Sequence, residues 1–280
     1  MTSFSMVRSA PTFPQTIAEG DLYRRPLALA IGLQLALAAP SLIALGFDDR
    51  LLNGVSIWIK PLKFQASLIM LLATLLWLAP IVASRARASR FFRIAASTAA
   101  LTSTAEILYI TLQAARGRAS HFNDQTAFEA AAYSVMGVGA ALLVLSCLVI
   151  GVYILRRPRP DVGAGLRYGA GWGLAAGSVL TLVTAFVLAS GQIDGPGHWV
   201  GGVRSDAGGL ILFGWSRTGG DLRVPHFFAT HIMQALPLAG LLLDRFAPKQ
   251  ARIGVILTLL ASIALVGATF VQAVDGAPFP

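Results

Sequence analysis

Residues 220–237, GDLRVPHFFATHIMQALP, change from a polar, irregular segment into an apolar one of bilayer length. Pro225 suits the first turn of a helix, so the sequence predicts that a helix begins at His226. That helix contains His226, His231 and Gln234. A charged side chain at the centre of a membrane helix costs on the order of 3 kcal/mol, and ionisable groups there usually face a bundle interior or a wet cavity and have a function. The stretch therefore predicts a membrane helix bundle with a polar site.

The composition supports an integral membrane protein. Of the 280 residues, 55% are hydrophobic and only 12% are charged, and the mean hydropathy is +0.69, which excludes an ordinary soluble or disordered chain. The net charge of +9 does not indicate nucleic-acid binding, because the basic residues form short clusters between apolar runs. The lone cysteine, Cys147, excludes an intrachain disulfide and a cysteine-based zinc site. The sequence also lacks a hydrolase triad, a phosphate-binding glycine loop and a dinucleotide fingerprint.

Seven segments are long and apolar enough to cross a bilayer, which needs roughly 20 residues of helix. They are residues 26–46, 55–83, 92–115, 130–155, 168–190, 226–244 and 253–274. Alternate connections are rich in arginine and lysine, and together with the N-terminal segment they hold 14 of the 22 basic residues. Because cytoplasmic loops are enriched in positive charge, the N-terminus is predicted to be cytoplasmic and the C-terminus outside. The predicted fold is an all-α polytopic membrane bundle of residues 26–275, between a cytoplasmic tail of residues 1–25 and a short tail of residues 276–280.

The longest connection, residues 191–225, is predicted to lie outside. It has ten glycines in 35 residues and an apolar insert at residues 210–215. Because the insert is poorly suited to free water, we expect a lid or re-entrant flap over an outward-facing cavity. The alternative is a flexible linker.

Polar residues collect in the outer half of the predicted bundle. Thr102, Glu106, Tyr109 and Gln113 recur at spacings of four, three and four, which places them on one helix face. Glu106 is the acid deepest in the predicted bundle. It either takes part in a functional site or only forms a hydrogen bond to a neighbouring helix. Without a positive partner, a buried carboxyl of this kind is expected to be neutral.

Three basic and aromatic groups stand at the outer ends of inward-running segments. They occupy residues 60–64 (KPLKF), 118–122 (RASHF) and 223–227 (RVPHF), and the last two share Arg-x-x-His-Phe. That repeat is either a trace of internal duplication or a coincidence. For Lys60 and Lys63 the alternative to ligand binding is that they extend to outer lipid head groups.

The histidines offer two alternative arrangements. His226 and His231 are five residues apart, about 140° around a regular helix, so both cannot hold one ion from the same face. His226 shares a stripe with Thr230 and Gln234, whereas His231 pairs with Gln234 at a spacing of three, and the sequence does not choose between these faces. His121 and His198 fall in outer connections, where a solvated histidine is usual.

Several motifs together resemble an uncharacterised family of bacterial seven-span membrane proteins. They are Trp58-x-Lys60-Pro61-x-Lys63-Phe64, Gln113-x-x-Arg116-Gly117-x-x-Ser120-His121-Phe122-Asn123, Gly197-His198-x-Val200-Gly201, and Gly220-Asp221-Leu222-Arg223-x-x-His226-Phe227-x-x-x-His231-x-x-Gln234-x-x-Pro237. The resemblance covers most of the chain. It implies a multi-pass protein of the bacterial cytoplasmic membrane and no particular activity.

Three functional hypotheses follow. In the first, the outer cavity binds a metal ion or haem and supports redox or hydrolytic chemistry on a small or lipid substrate, because histidine is the commonest ligand of such centres. Its residues would be the metal ligands His121, His226 and His231, the catalytic acids Glu106 and Asp221, and the ligand-binding residues Lys60, Lys63, Gln113, Arg118, Arg223 and Gln234.

The second hypothesis is a binding or transport protein for an anionic lipid or small acid. The third is a structural or assembly subunit of a larger membrane complex. The predicted partners are the lipid bilayer and an anionic small molecule or lipid head group, and the sequence does not decide whether the protein is an enzyme.

Overall fold

The structure is a computed structural model that describes residues 21–280, so most of the predicted tail of residues 1–25 lies outside the described residues. Eight α-helices occur in the described part of the chain, and seven of them have 20 residues or more. They are α1 (Arg24–Phe47), α2 (Ile59–Leu78), the short α3 (Ser84–Arg87), α4 (Arg90–Ala115), α5 (Ala127–Arg156), α6 (Ala164–Ser190), α7 (Arg223–Phe246) and α8 (Ala251–Val274). The prediction of an all-α helix bundle is confirmed.

Six of these helices are long and apolar enough to cross a membrane: α1, α2, α5, α6, α7 and α8. The chain is therefore a multi-pass membrane protein. The seventh predicted segment forms α4, whose 26 residues include Arg90, Arg93 and Glu106 together with several serines and threonines. These polar residues lower its hydropathy, so α4 is not among the six.

The helices pack mainly against their neighbours in sequence. The helices α1, α2 and α4 form one group, and α5, α6, α7 and α8 follow in order, with α4 packed against α5. Alanines 95, 96, 99 and 100 of α4 are buried in the main core, which also contains leucines of α2. Small side chains at this contact allow the helix backbones to approach closely, which is typical of membrane bundles.

The tightest pair is α6 with α7. Glycines 165, 169, 173 and 177 recur every four residues along α6, and a Cβ atom built on Gly169 would lie 2.5 Å from the carbonyl oxygen of Leu236. At the basic end of this pair, Asp244 accepts hydrogen bonds from the backbone nitrogens of Gly165 and Leu166, each at 2.7 Å. The carboxylate thereby satisfies free N–H groups in the first turn of α6.

Two connections build the opposite end of the bundle. Strands β1 (Leu51–Leu52) and β2 (Val55–Ser56) form an antiparallel hairpin between α1 and α2. Its turn residues Asn53 and Gly54 have φ values of 53° and 82°, as a two-residue hairpin turn requires. The second connection joins α6 to α7 and contains β3 (Trp199–Val200) and β4 (Gly220–Asp221), which pair antiparallel. The two connections touch, because the nitrogen of Asp206 donates to the oxygen of Asn53 at 2.9 Å.

Candidate functional site

The connection of residues 191–222, called the lid from here, is fastened to the ends of α2 and α7. Lys63 of α2 donates a hydrogen bond from Nζ to the carbonyl oxygen of Phe213 at 2.7 Å. The next carbonyl, that of Gly214, accepts a bond from Nη2 of Arg223 at 2.7 Å. Both cations had been expected to bind a ligand, and in the structure both hold the lid backbone.

The apolar insert of the lid divides into a packed and an exposed part. Phe213 stacks on Trp215 with ring centroids 4.4 Å apart, and both rings contact Phe227 of α7 edge-on. Ile211 and Leu212 are 91% and 78% exposed. The aromatic contacts and the two cationic hydrogen bonds explain why the lid has a defined path despite its many glycines.

The lid ends at a buried ion pair. Arg223 binds Asp221 through Nε to Oδ1 at 2.9 Å and through Nη2 to Oδ2 at 2.7 Å. The same carboxylate accepts from the nitrogen of Ser216 at 2.9 Å, and its side chain has no exposed surface. Nη1 of Arg223 lies 2.9 Å from Asp206. A bidentate pair with further bonds to the carboxylate is a strong and geometrically specific contact.

His198 belongs to the same network, and the expectation of a solvated histidine is wrong. The residue is only 8% exposed, because the β3–β4 pairing places it over Asp221 and its ring lies 3.8 Å from that of Trp199. Nδ1 lies 3.3 Å from Asp221 and Nε2 lies 3.7 Å from Asp206. These ring contacts are electrostatic, since the N–H direction is not well aligned with either carboxylate.

The network sets the charges of its members. Burial lowers the pKa of His198, while the neighbouring Asp221 opposes that shift, so the imidazole is neutral at neutral pH. For Asp221, burial alone would raise the pKa, but the close contact of His198 and the bonds from Arg223 outweigh it and hold the pKa below the usual range. Asp221 is therefore an ionised carboxylate, fully occupied by its partners. Sequence reasoning selected Asp221 and Arg223 and missed His198 and Asp206; the Gly-His-x-Val-Gly motif was the available signal for His198.

Lys60, one turn above Lys63 on α2, is at the centre of a second group. Its charge interacts with those of Asp206, Arg223 and Glu106, and its ammonium lies 5.9 Å from the ring centre of Phe64. Within residues 21–280, no direct hydrogen bond or ion pair engages the Lys60 ammonium or the Glu106 carboxyl. Side chains of α2, α4, α7 and the lid thus contribute charges to this group.

His121 lies beside this second group. Its ring is 5.5 Å from that of Phe64 and 5.8 Å from that of Tyr133. Burial, and after it the positive charge of Lys60, holds the pKa of His121 well below 6.5. The imidazole is therefore neutral at neutral pH and adds no charge to the group.

Gln113 and Arg118 lie in a separate cluster around Glu129 of α5. Arg118 contacts the Glu129 carboxylate at 2.6 Å, and Gln113 donates to it at 3.3 Å. Thr126 caps α5 by accepting from the nitrogen of Glu129 at 3.2 Å and donating to its side chain. Glu129, only 1% exposed, escaped sequence reasoning, although Thr-x-x-Glu before an apolar run is a capping signal.

The two Arg-x-x-His-Phe motifs differ in backbone conformation. Phe122 has a φ of 52° in a loop, whereas residues 223–227 form the start of α7, three residues earlier than predicted. The two motifs share one feature: in each of them the arginine pairs with a buried acid.

The polar residues of α7 point to different neighbours. His226 and Thr230 contact Thr184 and Thr181 of α6, while Gln234 donates to Thr74 of α2 at 3.4 Å. His231 bonds the carbonyl of Phe227 through Nδ1 at 2.8 Å, and its ring stacks on that of Phe227 at 4.0 Å. Neither of the two predicted faces gathers all of these side chains.

Among the described residues, no group of three or more histidine, cysteine, aspartate or glutamate side chains is arranged to hold a metal ion. Comparison of the chain with protein-family models, with curated proteins and with solved structures gives no match. The structural class is that of an all-helical, multi-pass membrane protein.

Proposed function

We propose that α4 is a seventh membrane span, so that the N-terminus is cytoplasmic and the C-terminus lies outside in a bacterial cytoplasmic membrane. A helix of 26 residues is about 39 Å long, enough for a bilayer core of about 30 Å. Leu101, Leu108 and Leu112 of α4 expose 70%, 46% and 55% of their surface, which suits contact with the lipid that surrounds the bundle. The orientation follows from the basic residues that cluster at one end of the bundle.

We propose that the protein binds a small anion that bears a carboxylate or phosphate, between α2, α4 and α7 beneath the lid. The observation that carries this proposal is that, within residues 21–280, the Lys60 ammonium has no hydrogen-bond or ion-pair partner. Lys63 and Arg223 already bind lid carbonyls, whereas Lys60 has no such partner in residues 21–280. A partly buried ammonium is costly unless it is paired, and an anionic ligand supplies the missing partner.

Glu106 gives the site a way to couple binding to a proton. Its carboxyl and the Lys60 ammonium interact electrostatically without a direct bond. When an anion binds Lys60, the negative charge nearby favours the protonated form of Glu106. Binding of the anion together with a proton is the behaviour expected of a transport or sensing protein rather than of a structural subunit.

Isothermal titration calorimetry of the purified protein in a neutral detergent tests the anion site. Inorganic phosphate, citrate and octanoate are the probes, and at least one of them is expected to bind. Lys60→Gln should weaken that binding by about tenfold or more, a change of about 1.4 kcal/mol. Lys249→Gln is the matched control, because Lys249 is exposed at the opposite end of the bundle. Equal affinities in both variants, or heat from none of the probes, would reject the proposal.

A second candidate function is haem or metal binding through His231. Because the carbonyl of Phe227 only accepts, Nδ1 of His231 must donate to it, which leaves the lone pair of Nε2 free in the neutral ring. A backbone bond of this kind orients metal-ligating histidines. Metal analysis and visible absorption of the purified protein test it. His231→Gln should remove the signal while His198→Gln retains it, and a protein without stoichiometric metal or a Soret band would end this hypothesis.

A further inference from the structure

A groove opens on the side of the bundle at its basic end, far along the helices from the lid. It has a volume of about 600 Å³ and lies where the start of α1 meets the first three turns of α4. Arg90 and Arg93 line the part of the groove at the start of α4, and Ser97 and Thr98 line it further along the helix. Ile94 and Leu101 form an apolar wall. Leu22 and Pro26 complete that wall from the α1 side.

No acid of residues 21–280 pairs with the two arginines. The first turn of α4 contains no acidic residue, and within residues 21–280 neither guanidinium forms an ion pair. Asp21 is the acid nearest in the chain to α1, and it contacts Arg24 at 3.5 Å and Arg87 at 3.7 Å. The groove therefore presents two guanidinium groups whose charge is not balanced by the described chain.

The lining changes from charged to apolar along the helix axis. From Arg90 to Leu101 the rise along α4 is about 16 Å, with Ser97 and Thr98 between the arginines and Leu101, while Ile94 directly follows Arg93. Leu101 and Ile94 are 70% and 47% exposed, so this side of α4 contacts whatever lies beside the bundle. In a multi-pass membrane protein that neighbour is lipid.

We propose that this groove binds one anionic phospholipid of the leaflet that surrounds the basic end of the bundle. Arg90 and Arg93 bind its phosphate, Ser97 or Thr98 donates a hydrogen bond to the ester region, and the apolar wall accommodates an acyl chain. Guanidinium groups bind phosphate oxygens through two nitrogens, and basic pockets between membrane helices select anionic head groups. The charge of the groove excludes a preference for zwitterionic lipid.

A second groove at the same end, of about 500 Å³, does not have this arrangement. It is lined by Arg85, Arg157, Ser89 and Tyr153, and Ser89 and Tyr153 already bond each other at 3.0 Å. Its other lining residues are the small Ala83 and Ala86, so it has no large apolar side chains to accommodate an acyl chain.

Native mass spectrometry of the full chain in a neutral detergent tests the proposal. Phosphatidylglycerol and phosphatidylcholine with the same acyl chains are titrated separately, and the first bound phosphatidylglycerol is expected to be retained at least tenfold more strongly. Arg90→Gln with Arg93→Gln should abolish that preference. Arg245→Gln with Arg252→Gln is the matched control, because both residues are exposed at the same basic end and the charge removed is equal.

Two further arms identify the ligand and guard against misfolding. Ser97→Trp fills the groove without changing charge and should also reduce the preference, so the test stands even if the double arginine variant does not fold. Inorganic phosphate at equal concentration should not displace the lipid, since it lacks the acyl contacts. Equal loss in the control pair would show general surface attraction, and displacement by phosphate would show a free-anion site. Either result, or unchanged binding in Ser97→Trp, overturns the proposal.

Discussion

The carboxylate of Asp221 and the guanidinium of Arg223 form a two-point ion pair at the junction of the lid and α7, with distances of 2.9 and 2.7 Å. Only Leu222 separates the last strand of the lid from the first turn of α7, and the ion pair spans this junction. The same guanidinium holds the lid carbonyl of Gly214. Arg223 thereby binds two points of the lid, Asp221 and Gly214, from the first turn of α7.

Asp221→Asn should therefore release the lid. The amide cannot accept both bonds from Arg223 and leaves the part-buried guanidinium with Asp206 as its remaining charged partner, which costs about 2 kcal/mol. We expect a lower unfolding temperature and faster protease cleavage within residues 191–222. Asp275→Asn, at an exposed carboxylate, is the control and should change neither. Unaltered cleavage of the Asp221→Asn lid would show that the ion pair does not hold it.

His198 should make the lid sensitive to mild acid. In the folded chain burial lowers its pKa, with Asp221, Asp206 and Arg223 as its charged neighbours, whereas in the unfolded chain its pKa is near 6.5. Because the folded pKa is the lower one, stability is complete above pH 6.5 and is lost as the pH falls through the folded pKa. Lid hydrogen exchange, expressed as protection relative to the intrinsic exchange rate at each pH, should lose more protection between about pH 7.5 and about pH 5.5 in the native protein than in His198→Gln. Parallel pH profiles for the two proteins would contradict this assignment.

Glu129→Gln should destabilise the junction of α4 and α5. The buried carboxylate accepts from Arg118, Gln113 and Thr126, and an amide can serve only part of this set. Leaving buried donors unsatisfied costs about 2 kcal/mol, measurable as a lower midpoint of thermal unfolding in detergent. Asp124→Asn, exposed in the same connection, should have no measurable effect. A similar shift in the two variants would argue against a special role for Glu129.

Gly169→Ala should separate α6 from α7. The added Cβ atom would lie 2.5 Å from the oxygen of Leu236, and overpacking of this kind costs about 1–3 kcal/mol. Gly267→Ala in α8 is the control, since a Cβ atom there has no neighbour within 4 Å. That change should be neutral or stabilise the helix by up to about 1 kcal/mol. The prediction fails if the two substitutions have the same effect on thermal unfolding.

Local sequence patterns account for the helices and for little of the polar contacts. Apolar runs of bilayer length predicted all seven long helices, because a helix is specified by neighbouring residues and by the cost of exposing backbone to lipid. Pro225 misplaced the start of α7 by three residues, since the bonds of Arg223 to Asp221 and Gly214 extend the helix toward the lid.

The sequence by itself determined the class of the protein: a helical chain for a bilayer, with arginine gathered at one end and polar side chains at the other. Only the tertiary structure decided which charged side chains form ion pairs with each other. Lys63 binds the carbonyl oxygen of Phe213, which is 150 residues away in the chain. Arg118 pairs with Glu129 and does not join the group around Lys60. The reason is physical, since helix formation depends on residues within a few positions of one another, whereas ion pairs depend on how complete helices and loops pack together.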